Sequence, residues 1–138
     1  LHIFKSLTVA VAESSRKAPL FTLAERIEMV REAVAADPGV LSVEPLPGLL
    51  IDYMQSHGAK TIIRGLRMVS DFEYEFQMAM MNRTLNKSID TVFLMPSEEH
   101  FFLSSTLVRE VAQYGGNVSP FVPKAVLTRL HKKWGGKK

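Results

Sequence analysis

Short unbroken apolar runs alternate along this chain with stretches where apolar residues recur every three or four positions. Leu7-Thr8-Val9-Ala10-Val11-Ala12 is the first such run, and a parallel strand covered on both faces reads this way. A polar loop from Glu13, closed by Pro19, leads to Thr22-Leu23-Ala24-Glu25, a capping box with Thr22 as N-cap and Glu25 at N3. Ile27, Val30 and Val34 then keep helical spacing to about Asp37-Pro38-Gly39. Val40 to Glu44 reads as a weak strand broken by Pro45, Pro47 and Gly48. Leu49 to His57 reads as a short helix with Gly58 just past its end, and Lys60 to Ile63 as the next strand. Ser70-Asp71-Phe72-Glu73 is a second capping box, opening a helix to about Leu85. Acids at 71, 73 and 75 complement that helix's positive start, and Arg83 and Lys87 its end. Thr91 to Met95 reads as another buried strand, stopped by Pro96. Ser104-Ser105-Thr106 starts a helix that Gly115-Gly116 ends, and Pro123 fits the first turn of a last helix to about Lys133. This alternation predicts an α/β fold, a parallel sheet with flanking helices and right-handed crossovers. At 138 residues the chain reads as a single domain, 1–138, with 134–138 a frayed tail.

The helix over 70–85 carries more apolar surface than one face can hide. Phe72, Phe76, Ala79 and Met80 form one stripe; Tyr74, Met78, Met81 and Leu85 form a second. Two readings stay open: a helix buried deep in one domain, or a subunit interface, where aromatics and Met are enriched.

Composition narrows the class. There is no cysteine, so neither a disulfide framework nor thiolate chemistry is available. No apolar run reaches the length of a membrane span and no signal-peptide pattern opens the chain, so an intracellular, cytoplasmic protein without a membrane partner is expected. The net charge of +3 is a tail effect: Lys132, Lys133, Lys137 and Lys138 set aside, 13 basic residues face 14 acidic ones. The body offers no basic face for nucleic acid, and none is expected as a partner.

Three places could carry chemistry. Thr61-Ile62-Ile63-Arg64-Gly65-Leu66-Arg67 ends a β-branched run in two arginines, whose planar forks suit phosphate oxygens at the carboxyl end of a strand. Local salt bridges to the acids at 71, 73 and 75 are the plainer reading. Ser104-Ser105-Thr106 offers hydroxyls and free N–H groups at a helix start, suited to phosphate, although ordinary capping explains a serine there too. Ser14-Ser15-Arg16-Lys17 follows the first strand, and Lys17 is either a point charge beside a phosphoryl group or a solvated loop lysine. His2, His57, His100 and His131 are scattered, no metal-ligand spacing occurs, and no GxGxxG, P-loop or G-x-S-x-G motif is present. What remains is a phosphate-handling site that works by position and charge.

The chain resembles bacterial phosphopantetheine adenylyltransferases. The resemblance rests on Val9-Ala10-Val11-Ala12-Glu13-Ser14, on Lys17 to Arg26, on Ile63-Arg64-Gly65-Leu66-Arg67, on Ser70 to Asn82, on Val92-Phe93-Leu94-Met95-Pro96-Ser97 and on Leu103 to Val111. It implies a Rossmann-like nucleotidyltransferase fold. It also implies adenylyl transfer from ATP to 4′-phosphopantetheine, giving dephospho-coenzyme A and pyrophosphate with Mg²⁺ in coenzyme A synthesis. By position it makes Lys17 and Arg64 the catalytic residues and Lys17, Leu50 and Arg64 the phosphopantetheine contacts. Gly65, Leu66, Arg67, Glu75 and the segment His100, Phe101, Phe102, Leu103, Ser104, Ser105 and Thr106 become the ATP contacts, with no metal ligand among the side chains. It further implies coenzyme A or dephospho-coenzyme A as a ligand, and a homohexamer, which suits the apolar helix.

One departure accompanies the match. The family opens with a central strand and a T-x-G-H loop, and this chain starts near the end of the helix that follows them. His2 has no preceding glycine and is not the motif histidine. The expectation is therefore a longer parent protein that is active, and a chain of just these residues that is not. The alternatives are another adenylyltransferase of the superfamily, acting for example on nicotinate mononucleotide, and a non-catalytic nucleotide-binding module.

Overall fold

The computed structural model describes residues 3–13 and 19–135, with the side chain of Ser70 outside the description. Four strands alternate with five helices in the order β1 (Leu7–Ala12), α1 (Leu23–Val34), β2 (Val40–Leu46), α2 (Leu50–Ser56), β3 (Thr61–Gly65), α3 (Val69–Leu85), β4 (Asp90–Leu94), α4 (Ser105–Gln113) and α5 (Lys124–Trp134), with 3-10 turns at Glu98–His100 and Ser119–Phe121. The strands form two parallel pairs, β1 with β2 and β3 with β4, where a single sheet was expected. The chain divides into two compact units, Gly48–Ser104 and the segments on either side of it.

In the flanking unit, α1 starts as its local chemistry dictates. The Thr22 hydroxyl accepts from the Glu25 amide at 3.2 Å, and the Glu25 carboxylate accepts from the Thr22 amide at 2.8 Å. Two arginines then fasten the helix to the strands: Arg26 Nη1 donates to the Ala12 carbonyl at the end of β1, and Arg31 Nη2 donates to the Val43 carbonyl in β2. Phe21, Met29, Val118 and Leu130 form the buried core, with Val108, Leu127 and Trp134 packed against it. Arg129 on α5 donates to Glu32 at 2.6 Å and to Glu28 at 3.3 Å on α1. These bonds hold the Glu32 carboxyl below its ordinary range and push Arg129 upward.

In the central unit, Ile51, Met54, Ile62 and Ile89 form the core. Gly58 takes φ +62° just past α2, the left-handed turn that closes that helix after His57.

Several expectations are corrected. Strand β2 runs through Pro45 to Leu46; among the described residues it has a neighbour on one side only, where a strand tolerates proline. No residue of β1 or β4 is fully buried, because each belongs to a two-stranded sheet. The second capping box does not form: α3 begins at Val69 with Met68 as N-cap and no capping side chain, and Asp71 is engaged by Arg67 instead. Pro123 caps α5 from outside rather than lying in its first turn.

Helix α3 is also not buried deep. Its least exposed positions are Asp71, Glu75, Ala79 and Asn82, and every other described side chain along it is exposed. The helix thus turns a polar face inward. Its apolar residues form two exposed flanks, Phe72/Phe76/Met80 and Tyr74/Met78/Met81/Leu85, separated on the outer side by Glu73, Gln77 and Thr84.

Candidate active site

The carboxyl edge of the β3–β4 pair gathers most of the residues singled out in the sequence. The parallel register places Arg64 beside Phe93 and Gly65 beside Leu94, and the Leu66 amide continues the ladder by donating to the Leu94 carbonyl at 2.9 Å. The loops leaving both strands therefore begin at one edge, where ligands of open α/β sheets sit.

Arg64, the fourth residue of β3, meets the inward face of α3. Its Nε donates to Glu75 Oε2 at 2.7 Å and its Nη2 to Glu75 Oε1 at 2.5 Å, a side-on bidentate pair. The carboxylate is shielded at 13 % side-chain exposure while the guanidinium keeps 49 %. The bonds to Glu75 push Arg64 above its ordinary pKa, so it is a permanent cation. Gly65 follows with an ordinary backbone angle, and a Cβ there would meet nothing within 4 Å. The fold itself does not demand glycine at this point, and the open space in front of the strand end is room for a ligand to approach the backbone.

Arg67 holds the two loops of this edge together. Its Nη1 donates to the Leu103 carbonyl at 2.5 Å, and its Nε donates to Asp71 Oδ2 at 3.2 Å. Asp71 is drawn below its ordinary pKa by this arginine. Leu66 is buried beneath. In the loop after β4, His100 Nδ1 lies 2.8 Å from Ser97 Oγ, and Phe101 and Phe102 stand half exposed. Leu50 opens α2 and packs against the Ile51 cluster.

The remaining candidates divide between the units. Ser104 ends the central unit, while Ser105 and Thr106 open α4 in the other. There Thr106 borders an open groove of about 500 Å³ with Pro19, Leu20, Arg109, Glu110, Gln113 and Trp134. Lys17 lies outside the described residues. Among the described residues no group of three or more His, Asp or Glu converges as a metal site. No helix of the described residues is long and apolar enough to cross a membrane.

The salt bridges read from the sequence form as Arg64–Glu75 and Arg67–Asp71, although no spacing said which acid each arginine takes. Sequence reasoning missed one feature. Asn82 is the buried polar residue of the described chain, two turns along α3 from Glu75 on the same inward face.

A family model described as cytidylyltransferase-like matches residues 1–111. The chain is 52% identical over 136 residues to the phosphopantetheine adenylyltransferase of Azoarcus sp. (strain BH72), covering 99% of this chain and 83% of that protein. It is 55% identical over 131 residues to the enzyme of that name from Aromatoleum aromaticum, covering 95% and 80%. The Methylococcus capsulatus protein of the same name is 52% identical over 135 residues, covering 98% and 83%.

Proposed function

We propose, from the premise that this chain belongs to the phosphopantetheine adenylyltransferases of the cytidylyltransferase-like family, that it transfers the adenylyl group of ATP to 4′-phosphopantetheine in coenzyme A synthesis. The observation that carries this is identity of at least half across nearly the whole chain to proteins of that one name. The two-arginine strand edge fits it, since both substrates present phosphates.

The reaction is an in-line displacement. A phosphate oxygen of phosphopantetheine attacks the α-phosphorus of ATP, the bond from that phosphorus to the bridging oxygen breaks, and pyrophosphate leaves with the electron pair. No covalent enzyme intermediate forms. Arg64 holds the attacking phosphate in line, and Lys17 offsets repulsion between the two anions as they crowd together. By the family match Gly65, Leu66, Arg67, Glu75 and His100 to Thr106 are assigned to the nucleotide, and Leu50 to the pantetheine arm. Mg²⁺ accompanies the ATP phosphates as part of the substrate. Coenzyme A or dephospho-coenzyme A occupies the same site as product-like ligands. The exposed flanks of α3 support assembly of identical copies, with a hexamer as the reading. We place the enzyme in the cytoplasm, where ATP is supplied.

The test is pyrophosphate release by the full-length protein with ATP and each of two acceptors. Dephospho-coenzyme A should appear, by mass spectrometry, in step with pyrophosphate when 4′-phosphopantetheine is present. Turnover on nicotinate mononucleotide alone, or nucleotide binding without turnover, would overturn the assignment.

A further inference from the structure

The carboxylate of Glu75 binds Arg64 along one particular edge. A guanidinium has two bidentate edges: a side-on edge made by Nε and Nη2, and an end-on edge made by Nη1 and Nη2. Glu75 occupies the side-on edge with both of its oxygens. The donors left over are those of Nη1 and the second hydrogen of Nη2, which together form the end-on edge. Burial is divided the same way, with the carboxylate shielded and the guanidinium half open to water. Glu75 is anchored on the inward face of a 17-residue helix, so its position is set by α3 rather than by a loop.

We propose that Glu75 is a positioning residue for Arg64: it pins the guanidinium so that the end-on edge alone faces the substrate phosphate. The inference rests on the reading above that Arg64 receives the phosphate of phosphopantetheine. It gives Glu75 a second identity beside the nucleotide contact expected of it, one that acts on the other substrate and through another side chain. An arginine on a strand end has several rotatable bonds; held from one side, it meets the phosphate in a single orientation without losing that freedom on binding. The carboxylate also blocks the side-on approach, so the phosphate is admitted from one direction, which an in-line attack requires.

The test is a double-substitution cycle on the full-length enzyme with Arg64→Ala, Glu75→Ala and the pair. Calorimetry reads the affinity for 4′-phosphopantetheine, for pantetheine lacking the phosphate, and for ATP. Glu75→Ala should weaken phosphopantetheine binding about 10-fold and leave pantetheine unchanged. In the Arg64→Ala background the same substitution should add nothing. Glu75→Gln, which keeps an acceptor for one of the two bonds, should fall between wild type and Glu75→Ala, and carries the test if the alanine variant does not fold. Equal loss of phosphopantetheine affinity in both backgrounds would overturn the inference, because Glu75 would then act on that substrate without Arg64, whereas any loss of ATP affinity reports its nucleotide contact separately. If Arg64→Ala weakens phosphopantetheine while Glu75→Ala and Glu75→Gln are silent, only the positioning role falls. If Arg64→Ala itself leaves phosphopantetheine binding intact, the assignment of Arg64 falls and the inference with it.

Discussion

The two apolar flanks of α3 set a minimum size for any lasting assembly of identical copies. Seven side chains on them, from Met78 at 40 % to Met81 at 57 %, leave about half of their surface in water. Full burial of such a side chain contributes about 1.5–3 kcal/mol, so the exposed half is worth roughly 1 kcal/mol. If one flank met the same flank of a second copy, the four side chains Tyr74, Met78, Met81 and Leu85 on each would gather roughly 8 kcal/mol. Lost translational and rotational freedom removes at least about 4 of that. The remainder corresponds to a dissociation constant of about 1 mM, too weak to persist. With both flanks covered in a closed ring, unlike flanks meet at each contact for roughly 7 kcal/mol, so three copies gather roughly 21 kcal/mol over three contacts against at least about 8 for fixing two of them. A lasting assembly therefore needs each copy to use both flanks, which means two neighbours and more than a dimer. Sedimentation velocity on the full-length protein between roughly 1 and 50 µM should show one large species. Met80→Asp on one flank and Met81→Asp on the other should each reduce it to small species, since a carboxylate buried at a contact costs several kcal/mol. Far-ultraviolet circular dichroism should stay unchanged, because both side chains point away from the unit's core. A wild-type protein that sediments as a fully active monomer over that range would refute the reasoning.

Other outcomes follow from single contacts. Arg64→Ala should weaken phosphopantetheine binding by about 2 kcal/mol while ATP changes less, whereas Lys17→Ala should lower kcat more than it raises either KM; equal small effects on both substrates would return the arginines to a structural role. Thr22→Ala removes the hydroxyl half of the α1 capping box and should cost about 1 kcal/mol, seen as a fall of about 4 °C in Tm by scanning calorimetry, with Thr22→Ser restoring most of it. Glu25, Glu32 and Asp71 all titrate below their ordinary values of 4.5, 4.5 and 3.8, Glu25 chiefly through the Thr22 amide, Glu32 through Arg129 and Asp71 through Arg67. Groups of that kind add stability at pH values above the unfolded pKa and lose it as pH falls through the folded one. Urea midpoints should therefore be flat from neutral pH to about 5 and drop steeply below about 4, and Glu32→Gln should flatten part of the drop.

The legible parts of the fold were those written in neighbouring residues. Thr22 and Glu25 form their box because both partners lie within one turn, so no distant contact can reassign them. The order of strands and helices was legible for the same reason, each run carrying its own period. Ser70 through Glu73 spells an equally good box, yet another contact within one turn competes with it: Arg67 binds Asp71, and the helix begins two residues earlier, at Val69. Pro45 was read as a break because a strand with two neighbours cannot hold it, and the number of neighbours is not a local property. Periodicity placed the stripes of α3, except for Ala79, which lies on the inward side, and did not say which face turns inward. On the face that does turn inward, Glu75 meets Arg64 of the strand. At the site, residue type identified Arg64 and Arg67, since guanidiniums at a strand end are rare without a reason. The burial of Asn82 and the division of Arg64 into a bound and a free edge depend on the packed helix, and no spacing along the chain encodes them.

The proline inside β2 has a bearing on how copies of this chain can go wrong. A strand with a bare edge is a template for another strand, and growth by that route ends in fibres rather than in closed particles. Pro45 lies within β2 and Pro47 just beyond it, so neither position can donate an amide to an incoming backbone. Ladder growth along β2 is blocked chemically, while the apolar flanks of α3 remain free to find their counterparts through side chains alone. Association of copies is thus left to a helix, where contact is reversible, and hindered along the edge of β2, where misassembly would be permanent.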